Sequence, residues 1–572
     1  MEYSAIIHDM DKRFCYAIDK DLFVIRVQVK KDDMKEVILH YEDKYIPMES
    51  KDTRMTLPMK KVAVSQFHDY YEAQLQMNLI CLRYFFEFTD MQGEKVYYGN
   101  YEFDKECITN RDRMFDCPQN LREEEMFEVP QWAANKVVYQ IFPSRFASTQ
   151  PVDKKLWYKA PITPMDDLHG NLRGIIEHLD YIKDLGIDVV YLTPIFKSNS
   201  CHKYDTIDYY QVDPSFGTTE DLKELVQKSH ERGMKVVLDA VYNHTGREFF
   251  AFQDILEKGE KSKYLDWYFI DELPLKDEWG EIPNFKCFGY YGGMPKLNLK
   301  NPEVEKYITD VACYWIKECD IDGWRLDVGD EISHFFWKNF RKAIKAVKKD
   351  MLIIGEIWHY AGDFLEGDEW DTVMNYPFYL NLIDLLADEK ITVSQFVQNL
   401  GYLKGRLHKN CYPLMWNLID SHDTARFLHL CNDNKKKQHL AAAFQLLLPG
   451  MPMIYYGDEY AMPGANDPDC RRGMYWDEEY QDKEMYEWYK RLIQVRKSHA
   501  CIVEGELAGS VTEDEEGTIV LIRKNGEETI AMIFNCSSSA KKFNEYTQKY
   551  NLLTENTFDG NVEGFDAAVI VL

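Results

Sequence analysis

Beyond Val137 the chain carries eight short runs of β-branched or large apolar residues, set apart by longer stretches, several of which have helical spacing. The runs are VVYQIFP (Val137 to Pro143), DVVYLTPIF, KVVLDAV, DGWRLDV, MLIIGEI, DTVMNYPF, PLMWNLID and MPMIYYGDE. Short continuous apolar runs of this kind suit parallel strands buried on both faces. Between them, GNLRGIIEHLDYIKDLG places Leu172, Ile175, Ile176, Leu179, Ile182 and Leu185 on one helical face. TTEDLKELVQKSHERG repeats the idea, and Asn301-Pro302 supplies a cap and first turn for PEVEKYITDVACYWIKE. Eight parallel strands with helices between them close a barrel. The fold class expected is therefore α/β, a (β/α)8 TIM barrel over residues 131–500.

Other segments depart from that rhythm. Residues 1–125 read as an N-terminal β-sandwich module: in DLFVIRVQVKK, Phe23, Ile25, Val27 and Val29 alternate with Val24, Arg26, Gln28 and Lys30, and RYFFEF and KVYYG flank the turn-like DMQGE. The stretch CPQNLREEEMFEVP then reads as a linker ending near Pro130. Residues 245–297, rich in aromatics and glycine, are too long for an ordinary connection and point to a small inserted domain after strand three. Residues 501–572 return to β character as a C-terminal β-sandwich, with TIVLIRKNGEETIAMIF a hairpin turning at Asn525-Gly526.

A formal charge of −28 argues against nucleic acid and against anionic membranes. The N-terminus has no basic region followed by an apolar core, and no uninterrupted apolar stretch could span a bilayer, so the expected location is cytoplasmic. Thirteen cysteines are scattered with no CxxC pair or Cys/His ligand spacing, as befits reduced thiols acting mostly as buried fillers. There is no HExxH, and GYYGGMPK lacks the GK[ST] ending of a phosphate loop, so neither metal nor other cofactor is expected.

Four segments concentrate carboxylates and histidines just beyond strand runs: DAVYNH (Asp239 to His244), GWRLDVGDE (Gly323 to Glu331), GEIWH (Gly355 to His359) and NLIDSHD (Asn417 to Asp423). The C-terminal rim of a β/α barrel is where its active site is built. Asp327 and Glu356 end adjacent strands, which run about 4.8 Å apart. Glycoside cleavage with retention needs a nucleophile and an acid about 5 Å apart. Arg325, two residues before Asp327, shares its face of the strand and should favour an ionised Asp327. Glu356, flanked by Ile357 and Trp358, is the better candidate for a carboxyl held partly protonated by an apolar setting.

These segments, with MPKLN (Met294 to Asn298), HKYDTIDYYQVDPSFGT, YQIFPSRF and NDPDCRR, make the chain resemble an α-amylase-family glycoside hydrolase of the neopullulanase, cyclomaltodextrinase and maltogenic amylase group. The resemblance implies that Asp327 is the nucleophile, Glu356 the acid and then base, and Asp423 the group that grips the hydroxyls of the sugar being cleaved. It implies that His244 and His422 bind that sugar, that Asp239 and Arg325 orient the nucleophile, and that Tyr204 is an aromatic platform. Asp467 and Arg471 would close the far side of the pocket. Asn298, Glu331 and Trp358 would shape the acceptor side. Implied substrates are α-glucan oligosaccharides, namely cyclodextrins, linear maltooligosaccharides and, more slowly, pullulan, and the implied partner is a second copy of the chain. A starch-active α-amylase, a glucanotransferase and a non-catalytic glucan-binding protein are the alternatives. Many relatives have an acidic, Asn-rich calcium loop completed by a GGD segment; FASTQPVDKKLWYK and DLHGN lack most of the oxygen ligands, so no calcium is expected there. VGDE, after the nucleophile strand, also departs from the common pattern.

Overall fold

A computed structural model of the chain describes residues 1–47, 54–76, 79, 81–118, 126–276 and 282–572. Two compact units are distinguished: Met1–Val129 with Gly362–Asp368 and Ile391–Tyr412, and Pro130–Ala361 with Glu369–Lys390 and Pro413–Leu572.

The larger unit holds the eight-stranded sheet. Its strands are β1 (Val138–Ile141), β2 (Val189–Leu192), β3 (Lys235–Ala240), β4 (Gly323–Leu326), β5 (Leu352–Gly355), β6 (Thr372–Val373), β7 (Trp416–Asn417) and β8 (Met451–Tyr455). They pair in parallel in the order β6-β5-β4-β3-β2-β1-β8-β7. A single parallel bridge between Met374 and Trp416, carried by Asn375 N donating to Trp416 O at 2.8 Å, joins the two ends into a barrel. All eight runs expected as strands supply one, and nearly all their residues are buried because helices or the barrel interior cover each face.

The helices follow their capping residues. Thr219–Glu231 starts with a reciprocal Thr218/Asp221 capping box, and Pro302–Cys319 starts from Asn301, whose side chain accepts from Glu303 N. The segment expected as one helix after β1 is two, Leu172–Glu177 and Leu179–Leu185, broken at His178 with φ −106° and ψ 9°. Gly174 is required there, because a Cβ would lie 2.3 Å from Ala147 O.

The interval after β3 contains the helix Phe250–Lys258 and bridges His244–Lys296, Tyr268–Leu297, Ile270–Phe285 and Cys287–Pro295. A hairpin after β2, Phe196–Ser198 with Thr206–Val212, was not apparent in the sequence. At the C-terminal end, Glu506–Glu513, Thr518–Asn525, Glu528–Asn535 and Asp566–Val571 form the body of one sheet, and Lys541–Lys542 pairs with Asn561–Val562 in another. Val520, Ala531, Ile533, Phe543, Phe558 and Ile570 are in the core of that region. The hairpin register pairs Asn525 with Glu528, so its loop is Gly526-Glu527, one residue later than expected. Gly526, at φ 60°, supplies the positive φ at the first central position.

The smaller unit is a sandwich of two antiparallel sheets, one containing Leu22–Lys30 and the other Met34–Asp43 and Cys81–Asp90. Phe23, Ile25, Val27 and Val29 pack into the core between them. The alternate face is buried as well, contrary to a simple polar-out reading: Val24, Arg26 and Gln28 are all buried. Residues from the middle of the chain cover it. The helix Val393–Arg406 brings Gly401 so close that a Cβ would lie 1.9 Å from Val64 O, and Arg26 donates to Gly405 O and Leu407 O at 3.0 Å. Residues 119–125, half of the stretch expected as a linker, lie outside the described residues.

Candidate active site

The strand register sets the site. Asp239 on β3 pairs with Arg325 on β4, and Leu326 on β4 pairs with Gly355 on β5, so Asp327 and Glu356 are the next residues beyond the last paired rung. The ladder continues through their backbones, with Asp327 N donating to Ala240 O and Glu356 N to Leu326 O. Four carboxylates thereby gather around one buried guanidinium. Arg325 Nη1 donates to Asp239 Oδ2 at 3.1 Å and to Asp327 Oδ1 at 2.9 Å, while Nη2 lies 2.8 Å from Glu356 Oε1 and 3.9 Å from Asp423 Oδ2.

Burial and the neighbouring Glu356 charge hold Asp327 well above the usual carboxylate range, although Arg325 pulls the other way. Burial also raises Glu356, against Arg325, and pushes Asp239 up to about 6. Arg325 favours the ionised form of Asp327, as its placement two residues upstream suggested, but burial and the neighbouring acids outweigh it. Glu356 is not in an apolar setting. Besides Arg325, its Oε2 accepts from Val328 N at 2.9 Å and its Oε1 from Trp358 Nε1 at 3.4 Å. Both carboxyls are raised, and the charge of Glu356 acts directly on Asp327, so the two titrate as a pair.

A second network runs beneath the floor. Gln140 Nε2 donates to His422 Nδ1 at 2.8 Å, which leaves the proton on Nε2, 2.5 Å from Tyr204 Oη and 3.1 Å from Asp423 Oδ2. Tyr204 and Tyr191 hydroxyls donate to Asp239 Oδ2 at 3.1 and 2.5 Å. Burial and the charges of Arg471 and Arg325 hold His422 neutral, well below its ordinary value. His244 is also neutral: burial, then the charge of Lys296, lowers it to about 3, and its ring stacks on Phe288 with centroids 5.0 Å apart.

Above these groups opens a cleft of about 410 Å³, lined by His202, Tyr204, His244, Phe288, Met294, Asp327, Val328, Asp330, Glu356, Trp358, Asp423, Asp467 and Arg471. That size suits a small ligand, and the mix of ring faces with acceptor oxygens suits a sugar. On one side Arg471 Nη1 pairs with Asp467 Oδ1 at 2.8 Å and Nη2 reaches Asp423 Oδ1 at 3.4 Å. Trp358 stacks on Tyr376 with centroids 4.0 Å apart.

Among the residues singled out from the sequence, Asp239, Arg325 and His422 lie buried beneath the cleft, and Asn298 and Glu331 are not among its lining. Asn298 Nδ2 donates to Asp266 O at 2.9 Å, and Glu331 accepts from Asn243 Nδ2 at 3.1 Å and pairs with Lys296 at 3.2 Å, so both tie down chain around the insert. His202, Phe288 and Met294 line the cleft without having been singled out. His202 sat in the HKYDT motif and Met294 in MPKLN; Phe288 had no signal of its own. Among the described residues no group of three or more His, Cys, Asp or Glu side chains is placed to hold a metal.

A parallel barrel whose rim gathers paired acids under a sugar-sized cleft is the framework of a glycoside hydrolase. Residues 140–505 match the α-amylase catalytic domain and residues 1–119 the α-amylase N-terminal Ig-like domain. The chain belongs to the α-amylase family. It is 43% identical over 544 residues to a cyclomaltodextrinase of Geobacillus thermopakistaniensis (strain MAS1), covering 94% of this chain and 92% of that one. It is 39% identical to neopullulanase 2 of Thermoactinomyces vulgaris over 541 residues, or 94% and 91% of the two chains. Among solved structures, a cyclomaltodextrinase superposes with a TM-score of 0.94 at 37% identity, covering all of both chains. The type III pullulan hydrolase from Thermococcus kodakarensis gives 0.82 at 26% identity, covering 99% of this chain and 100% of that one.

Proposed function

We propose that the chain is a retaining hydrolase of α-1,4-glucosidic bonds in cyclodextrins, maltooligosaccharides and pullulan. The observation that carries the reading is the placement of Asp327 and Glu356 one residue beyond a paired rung of adjacent strands, both facing one cleft and both within ion-pair reach of Arg325. An Asp327 oxygen attacks C1 of the bound sugar, the C1–O bond breaks, and Glu356 gives its proton to the departing oxygen. Water then attacks C1 as Glu356 takes back a proton, and Asp327 leaves as carboxylate.

Asp423 faces the cleft beside His422 and Arg471 and accepts sugar hydroxyls, which supports its role in holding the ring to be cleaved. His244 and His422, both neutral, serve as uncharged hydrogen-bonding partners, and Tyr204 offers its ring to the sugar. Asp239 and Arg325 orient Asp327. Asp467 and Arg471 bound one side of the cleft and Trp358 the acceptor side, with Asn298 and Glu331 acting there through the chain segments they hold.

Relatives named intracellular maltogenic amylase, from Bacillus subtilis, support a cytoplasmic location. No helix among the described residues is long and apolar enough to cross a membrane. A homodimer is part of the same reading, and light scattering that finds only a monomer at working concentration rejects it.

The test compares initial rates on β-cyclodextrin, maltotriose, pullulan and soluble starch at equal glucose content, with Asp327→Asn as the blank. Cyclodextrin well ahead of starch, and a dead variant, is the expected result. Starch equal or ahead points to an open-cleft amylase; no release of reducing ends, with disproportionation instead, points to a glucanotransferase.

A further inference from the structure

Glu356 must aim one carboxyl oxygen at a glycosidic bond, and few contacts fix its side chain. Arg325 Nη2 lies 2.8 Å from Oε1, yet that nitrogen makes no aligned hydrogen bond. Trp358 Nε1 is a long 3.4 Å away. The well-formed donor is the peptide N–H of Val328, 2.9 Å from Oε2.

Val328 has φ 48° and ψ 43°, a left-handed conformation that is a genuine outlier for a β-branched residue. The reversal comes directly after Asp327, and the surroundings hold it. Trp337 Nε1 donates to Gly329 O at 2.9 Å, and Glu331 N returns to Val328 O at 3.2 Å. The Trp370 ring packs so tightly on the two neighbouring glycines that a Cβ would come within 2.8 Å of it at Gly329 and 2.1 Å at Gly355. One buried indole thus clamps the turn after the nucleophile to the residue preceding Glu356. Strained backbone held by overdetermined packing at an active site is strain with a use.

We propose that Val328 is a positioning residue of the reaction, whose left-handed backbone keeps its N–H on Glu356 Oε2 and so orients the carboxyl for proton transfer to the departing oxygen. This rests on Glu356 being the acid and base. With Oε2 held by Val328, the carboxyl that carries the transferable proton is fixed in its plane, its Oε1 beside Trp358 Nε1 and 2.8 Å from Arg325 Nη2. As Asp327 bonds to C1 and the C1–O bond breaks, that proton passes to the oxygen carrying the electron pair.

The experiment replaces Val328 with α-hydroxyisovaleric acid by nonsense suppression, exchanging the N–H for an ester oxygen and keeping the side chain. Maltotriose, whose leaving group needs the proton, is compared with α-maltosyl fluoride, whose fluoride needs it far less. The expected kcat/KM loss is roughly tenfold to a hundredfold on maltotriose and under about threefold on the fluoride. The basic limb of the maltotriose profile moves up by roughly one pH unit, since a donor to the ionised carboxylate is gone. Glu356→Gln, measured alongside, should show the same substrate selectivity; its absence fails the assignment of Glu356 itself. With that selectivity present in Glu356→Gln, equal losses on both substrates, or no loss and no movement of the limb, overturn the role of Val328. Should the ester chain not fold, Trp337→Phe carries the test, because it removes the indole N–H that holds Gly329 O and with it the turn that aims the Val328 N–H at Glu356. A selective loss of roughly threefold to tenfold on maltotriose is expected, and parent-like kinetics on both substrates overturn the proposal.

Discussion

Replacing Arg325 by methionine removes the cation and roughly keeps the volume of a side chain with no exposed surface. Asp239, Asp327 and Glu356 lie 3.1, 2.9 and 2.8 Å from its nitrogens. At an effective dielectric constant of about 20, each contact is worth roughly 5–6 kcal/mol before desolvation is subtracted. Net losses on breaking buried pairs are about 3–5 kcal/mol, and that is the expected cost near neutral pH. The acids can reduce this cost by taking up protons. Each is already raised in the folded state, Asp239 to about 6, and loss of Arg325 raises it further. The folded variant then binds more protons than the unfolded chain from the ordinary carboxylate value, about 4, up through the folded values. Stability from this source is fully present below that lower bound and is lost as pH rises through the window. The penalty should therefore shrink to about half at roughly pH 5.5 and be complete by roughly pH 8. Urea unfolding followed by tryptophan fluorescence at the two pH values measures it. A penalty independent of pH, or parent-like stability at the higher value, refutes the shared-cation account.

Gly355→Ala should lower kcat at least tenfold and stability by about 1–3 kcal/mol, because its Cβ would meet the Trp370 ring at 2.1 Å directly before Glu356; thermal melts and maltotriose kinetics read both. Buried Asp458 and Asp420, both raised and sharing Arg426, make the parent lose stability as pH rises through their folded values. Asp458→Asn should flatten that alkaline decline, with a gain of about 1–2 kcal/mol at high pH that vanishes in acid, as melts across pH will show. Asn298→Ala should leave kcat within about threefold of the parent while costing about 1 kcal/mol through its lost hydrogen bond to Asp266 O. A large kcat loss with unchanged stability would place Asn298 on the substrate instead.

The barrel strands were readable because burial on both faces leaves a distinctive uninterrupted apolar run, and the acids were readable because they follow those runs directly. What escaped was whatever depends on contacts distant in sequence. The setting of Glu356 is made by a peptide N–H whose direction comes from the left-handed turn at Val328, and nothing in VGDE announces it. The buried second face of Leu22–Lys30 needs a helix nearly four hundred residues downstream. The break at His178 and the one-residue shift of the hairpin at Gly526 are local, but they turn on backbone geometry that side-chain periodicity does not record.

That downstream helix constrains how the protein is made. During synthesis the first sandwich emerges early, and Arg26, already paired with Glu72, gains the carbonyls of Gly405 and Leu407 only once residues 391–412 have left the ribosome. The N-terminal module completes its fold only after most of the barrel's chain has been translated. Cutting the gene near residue 129 therefore severs a folding unit that the order of the sequence makes look whole.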